Sequence, residues 1–176
     1  MGKALNEQLM IAVKQGDSER AENLIESGAD INARDENGYS ALDWAAAYAD
    51  SLMMETLMLE GADDTNDLMS GFLVCQSAFK DKLFGSLVFA VSNGDLIIAE
   101  DLFKRGLKVT GRDTMEREAL AAAIESGLTD GRIKDPSLQS ISSYPGMRFV
   151  ILKAMSRIKQ AEAKKKIKKN NRKKNK

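Results

Sequence analysis

The 176-residue chain has no histidine, one cysteine and two prolines, and only 6% of its residues are aromatic. Without histidine it lacks the commonest general base, and with one cysteine it lacks the ligands of any standard structural zinc site. Cys75 stands alone, so no intramolecular disulfide forms, and a reducing compartment, the cytoplasm, is the simplest expectation. No apolar run is long enough to cross a bilayer. The opening MGKALNEQLMIAVKQGD has too short an apolar stretch for a secretory signal, and Asn6 stands where a myristoylation pattern needs Ser or Thr. Neither GxGxxG nor GxxxxGK[ST] occurs, so no phosphate-cradling loop is expected. These absences predict no enzyme, no cofactor and no metal.

What remains is 43% hydrophobic, much of it Ala, Leu and Met, a mixture suited to closely packed short helices. Charge cancels in sum, with 26 basic and 26 acidic residues, but not in place. Residues 159–176 carry ten Lys/Arg against Glu162, which leaves 16 basic and 25 acidic residues in 1–158. An acidic body with a basic tail presents two surfaces to two kinds of partner.

The body repeats itself. Gly28-Ala29-Asp30 returns as Gly61-Ala62-Asp63, and Ala12–Asp17 aligns with Ala45–Asp50 at the same offset. A period of this size predicts stacked helix–turn–helix units. Leu9, Ala12 and Val13 form one stripe at helical spacing, and Ala21, Leu24 and Ile25 form a second. Gly16-Asp17 breaks the first helix, Gly28 ends the second as a C′ glycine, and Ile31 is expected to anchor the following loop in the core. After Asp63 the period slips. Two periods on from Ala12 would reach Ala78, but the matching block is Ala90–Asp95, so about a dozen positions are inserted within 63–82. Gly106 stands as far from Gly28 as Ala90 does from Ala12, and Val109 stands where Ile31 stood. In a fourth unit Ala119-Leu120 matches Ala41-Leu42, and Gly127 is expected to close the first helix. The Ser- and Gly-rich stretch LTDGRIKDPSLQSISSYPG reads as loop, and a helix begins near Met147.

ESGADINARDENGYSALDWAA resembles the junction of two ankyrin repeats. Asp35, Gly38, Ser40, Ala41, Leu42 and Ala45-Ala46 occupy the family's Asp-x-x-Gly-x-Thr-Pro-Leu-His-x-Ala-Ala positions, with Ala41 for the usual proline and Asp43 for the usual histidine. The resemblance implies an all-α, ankyrin-type solenoid of about four repeats, about 5–34, 35–66, 80–112 and 113–158, with insertions at about 63–82 and 128–146. It places a domain at 1–158 and leaves 159–176 as a Lys-rich tail, either a helical extension or disordered. It also implies that Ser40 and Asp43 supply the hydrogen-bond network that Thr and His supply in the family, and that Trp44, standing for a buried leucine, is core.

The same resemblance implies a protein-binding surface made of loop tips and the exposed side of each first helix. Carried over by position, the loop tips are Arg34, Glu36, Asn37 and Tyr39, then Arg112, Thr114, Met115 and Arg117. The helix positions include Lys14, Tyr48, Asn93 and Glu125. Tyr39 and Tyr48 are singled out because an exposed tyrosine brings large contact area at low entropy cost. The alternative for all of them is a solvated surface without a partner. The expected function is a non-enzymatic protein-binding module (adaptor, effector or immunity-type protein) whose acidic body favours a basic partner surface.

The second reading is attachment to nucleic acid or an anionic surface through the tail, with Lys164, Lys165, Lys166, Lys168, Lys169, Arg172, Lys173 and Lys174 as contacts. Lys164–Lys169 also resembles a nuclear localisation signal, should the organism have a nucleus. Three lesser features have plain explanations. Met53, Met54 and Met58 suit helix packing; Asp63, Asp64 and Asp67 beside Asn66 suit a solvated loop better than a cation site; and Cys75, within an apolar stretch, suits a buried inert thiol.

Overall fold

A computed structural model describes residues 2–64, 67–109 and 114–174. Every element among them is helical, and the only extended pairing is an isolated antiparallel bridge between Arg34 and Ser40. The chain divides into two compact units, Met1–Ser86 and Leu87–Lys176.

The first unit holds α1 (Gly2–Gln15), α2 (Ser18–Glu26), α3 (Ala41–Ala47), α4 (Ser51–Leu59), α5 (Asp67–Ala78) and the first turn of α6 (Lys82–Asn93). The period of the sequence is a period of hydrogen bonds. Asp17 N–H donates to Ala12 O at 3.0 Å and Asp50 N–H to Ala45 O at 3.0 Å, each closing a tight turn between paired helices. The two aspartates then cap the second helices, accepting from Arg20 N–H and Met53 N–H at 3.0 Å each. A capping aspartate satisfies an orphan amide and favours the positive helix end. Gly28 and Gly61, at φ 92 and 90, close those helices in the left-handed region. Ala49 sits where the first repeat has Gly16 and adopts φ 56 despite its Cβ.

The pairs stack, α1 on α3 and α2 on α4. Small residues allow the close approach: Ala12, Ala21, Ala41, Ala45, Ala46 and Ala47 are fully buried, with Leu9, Trp44, Met53 and Leu57 filling the space between them. Two asparagines tie the loops at the stack edge. Asp30 N–H donates to Asn6 Oδ1 at 2.8 Å, and Asp63 N–H to Asn32 Oδ1 at 2.8 Å. Ile31 is only half-buried, and Ala29 is the buried anchor of that loop, because the backbone ties are made on either side of Ile31.

The stretch that breaks the period is α5, which packs on α3. Gln76, 5% exposed, holds it there: Nε2 donates to Ala46 O at 2.6 Å and to Ser86 Oγ at 2.7 Å. Those bonds satisfy three polar groups that burial would otherwise penalise. Gly85 lets α6 reach α5, since a Cβ there would stand 2.6 Å from Cys75 O.

The second unit contains the rest of α6, α7 (Leu96–Lys104), α8 (Thr114–Asp130), a short 3-10 turn (Asp135–Leu138), α9 (Gln139–Ser142) and α10 (Met147–Lys174). Its first turn repeats the others: Asp95 N–H donates to Ala90 O at 2.8 Å, and Gly106, at φ 96, follows α7. Gly127 does not close a helix as expected. It lies buried inside α8, and its missing Cβ admits Ile133, whose Cδ1 would be 2.5 Å from it. The stretch read as loop folds back for the same reason, with Ile133, Leu138 and Ile141 buried. α8 packs along the first half of α10, where Glu118 receives hydrogen bonds from both Lys153 and Arg157. Tyr144 stacks on Phe103, centroids 4.5 Å apart, and Val109 is buried against Gly146.

Candidate partner-binding groove

The first unit builds a rigid tip from residues 34–44. Asp35 is its centre. One carboxylate oxygen, Oδ1, accepts Asn37 N–H and Tyr39 N–H, both at 3.0 Å, and the other, Oδ2, accepts the Trp44 indole N–H at 2.9 Å. Asp35 N–H donates to Tyr39 O at 2.9 Å, and Gly38 turns the chain at φ 87. The turn is thus held by one side chain on one side and the backbone on the other.

Ser40 and Asp43 form the expected network as a capping box. Ser40 N–H donates to Asp43 Oδ2 at 2.9 Å, and Asp43 N–H donates to Ser40 Oγ at 3.2 Å. The Asp43 carboxylate is almost fully buried and meets the Arg34 guanidinium at 3.6 Å. Arg34 also donates to Gly38 O at 2.8 Å, so its long side chain is fixed in place. Lys14 of α1 lies 3.7 Å above the Trp44 ring centre and 3.7 Å from Asp35 Oδ2. A cation between an aromatic face and a carboxylate gains from both.

Between α1 and this tip runs an open groove of about 650 Å³. Lys3, Glu7 and Lys14 line it from the helix, Ala33–Asn37 from the loop, and Met10 and Ile11 supply its apolar part. Glu7 and Glu36 carry no ion pair among the described residues, whereas Lys14 and Arg34 lie against carboxylates of their own chain. Lys3 likewise carries none, so among the described residues two acidic side chains and one basic one are left without an ion pair, a small negative excess in the groove.

Of the residues the sequence singles out, Arg34, Glu36 and Asn37 line this groove together. Tyr39 is a correction. It is 8% exposed, not presented at the tip, because it packs edge-on against Trp44 with centroids 5.3 Å apart. Tyr48 is half-buried, 5.6 Å from the same ring. Trp44 is 1% exposed, core as expected. Asn93 and Arg117 belong to the second unit. Asn93 donates to Phe89 O at 3.0 Å, and the Arg117 guanidinium lies 5.7 Å from the Phe149 ring centre. Arg112 lies outside the described residues. Lys164, Lys165, Lys166 and Lys168 are exposed on α10, whose helix continues through Lys169, Arg172, Lys173 and Lys174. Lys3, Glu7 and Met10 were not legible as groove residues, since they lie far in sequence from the loop they face.

Other candidates stay plain. Met53 is buried but Met58 is 51% exposed, so only part of that methionine set packs. Burial pushes the half-buried Cys75 thiol up, away from the thiolate a nucleophile needs. Among the described residues no group of three His, Cys, Asp or Glu could hold a metal ion, and no helix is long and apolar enough to cross a membrane.

Residues 9–57 match the model of a family described as ankyrin repeats (many copies). Over 58 residues the chain is 41% identical to the ankyrin repeat domain-containing protein SAT10 of Stachybotrys chartarum, a match covering 33% of this chain and 3% of that protein. Over 125 residues it is 33% identical to the E3 ubiquitin-protein ligase Ufd4 of Drosophila melanogaster, covering 70% of this chain and 4% of that protein. The chain thus spans only a few per cent of the length of these relatives.

Proposed function

We propose that this chain, whose residues 9–57 match the ankyrin repeat model, is a non-enzymatic protein-binding module gripping a partner in the groove between α1 and the 33–37 loop. Ankyrin repeats are generally protein-interaction modules. The observation that carries the assignment of the face is the preordered tip. Asp35 accepts three hydrogen bonds and Arg34 is held by Gly38 O, so Glu36 and Asn37 are presented with little ordering left for a partner to impose. Scaffolded loops of this kind concentrate recognition. Glu7 and Glu36 favour a partner that brings Lys or Arg to the groove, with Met10 and Ile11 taking up apolar stem atoms.

The test is capture of partners by the purified full chain and by the Glu7→Ala/Glu36→Ala/Asn37→Ala variant. None of the three side chains is buried, so unfolding curves should coincide. Partner affinity should fall roughly tenfold or more, which needs only one of the three to be a central contact costing over about 1.4 kcal/mol on truncation. Undiminished capture of the same partners would show that this face is not the one used.

A further inference from the structure

The last part of α10 carries a second surface, independent of the groove. Every residue from Lys159 to Lys168 is exposed, and the helix runs on to Lys174. Ala161, Ala163 and the lysines are strong helix formers, which explains an extension that buries nothing. No ion pair among the described residues involves Lys159, Lys164, Lys165, Lys166 or Lys168. Their charge is unspent among the described residues.

We propose that residues 164–174 of α10 form a docking helix for double-stranded DNA that engages the phosphates on both walls of the major groove. The distribution of charge selects this occupant. At 3.6 residues per turn, Lys164, Lys168, Lys165 and Lys166 are spread over about 200° of the helix circumference. A flat anionic bilayer meets one face of a helix and rewards an apolar stripe along it. Here the only apolar side chain between Lys164 and Lys174 is Ile167. A groove flanked by two phosphate rows rewards charge on opposing flanks. The major groove of B-form DNA, about 12 Å wide, admits an α-helix, whereas that of duplex RNA is too narrow. With no aromatic side chain for stacking, the contact is to phosphates and tolerates any sequence.

The experiment is fluorescence anisotropy of the full chain with a labelled 20-base-pair DNA duplex, a duplex RNA of the same sequence, and vesicles containing phosphatidylserine. The DNA duplex is expected to bind best, with affinity falling about a thousandfold between 50 and 200 mM salt if about six phosphates are neutralised. Lys164→Glu/Lys165→Glu/Lys168→Glu should weaken binding at least about a hundredfold. Ile167→Pro keeps every charge but breaks the helix, and should weaken it about tenfold. Three results overturn the proposal: equal or tighter binding to duplex RNA or vesicles, no DNA binding at 50 mM salt, or unchanged affinity of the Ile167→Pro chain, which would mean that any polycation of this charge suffices.

Discussion

Replacing Asp35 by Asn removes a charge and keeps the shape, yet it should be badly tolerated. The carboxylate uses both oxygens as acceptors, Oδ1 toward the turn amides of Asn37 and Tyr39 and Oδ2 toward the Trp44 indole. An asparagine has one acceptor and one donor end. If its oxygen faces the turn, its NH2 faces the indole N–H, donor against donor. If it flips, the turn amides are orphaned instead. Trp44 is 1% exposed, so water does not readily rescue its N–H, and an unsatisfied buried donor costs about 1–3 kcal/mol. The Lys14 contact at 3.7 Å is partly exposed and adds at most about 1 kcal/mol. The two contributions together come to about 2 kcal/mol. Trp44→Phe removes the donor that Asn cannot satisfy, so in that background the cost of Asp35→Asn should shrink to about 1 kcal/mol, a coupling of about 1 kcal/mol in a double-mutant cycle. Urea unfolding followed by far-UV circular dichroism reads all four proteins, including those without the only tryptophan. Additive effects, or a single-variant cost under about 0.5 kcal/mol, would refute the account of Asp35 as a two-sided acceptor.

Other sites carry expectations of their own. Ala49→Gly should stabilise the chain by about 0.5–1 kcal/mol in the same urea assay, since φ 56 strains an alanine and suits a glycine; a loss of stability would contradict the strain. Gly85→Ala should destabilise by about 2 kcal/mol or more, because its Cβ would stand 2.6 Å from the backbone of Cys75 and Gln76, neither of which can swing away; a neutral result would mean that α5 and α6 separate easily. Hydrogen bonds from Lys153 and then Arg157 hold Glu118 below the ordinary glutamate range. A depressed folded-state value means stability that is present above the unfolded value and lost as pH falls through the folded one. Unfolding measured from pH 7 downward should therefore show an acid-side loss that Glu118→Gln lacks; identical slopes would remove the clamp between α8 and α10.

Period and composition alone determined the helical fold. Backbone caps and turns are local, so Asp17, Asp50 and Asp95 could be matched across the chain by spacing, and Gly28 and Gly61 by their place after each stripe. The loop-tip positions Arg34, Glu36 and Asn37 came instead from the resemblance to ankyrin repeats, as a register within a repeat. Tertiary structure decided what depends on a neighbour distant in sequence. Tyr39 is buried because Trp44 offers it an aromatic edge, which no pattern of exposure along the chain reveals. Gly127 looks like a helix end but is a gap for Ile133. The stretch that interrupts the period is held against α3 because Gln76 finds the Ala46 carbonyl and the Ser86 hydroxyl. The groove itself needs Glu7 of α1 beside Glu36 of the loop, and only stacking brings them there. Hydrogen bonds between near residues are written in the order of the chain, whereas contacts between distant ones depend on how apolar faces find each other on packing.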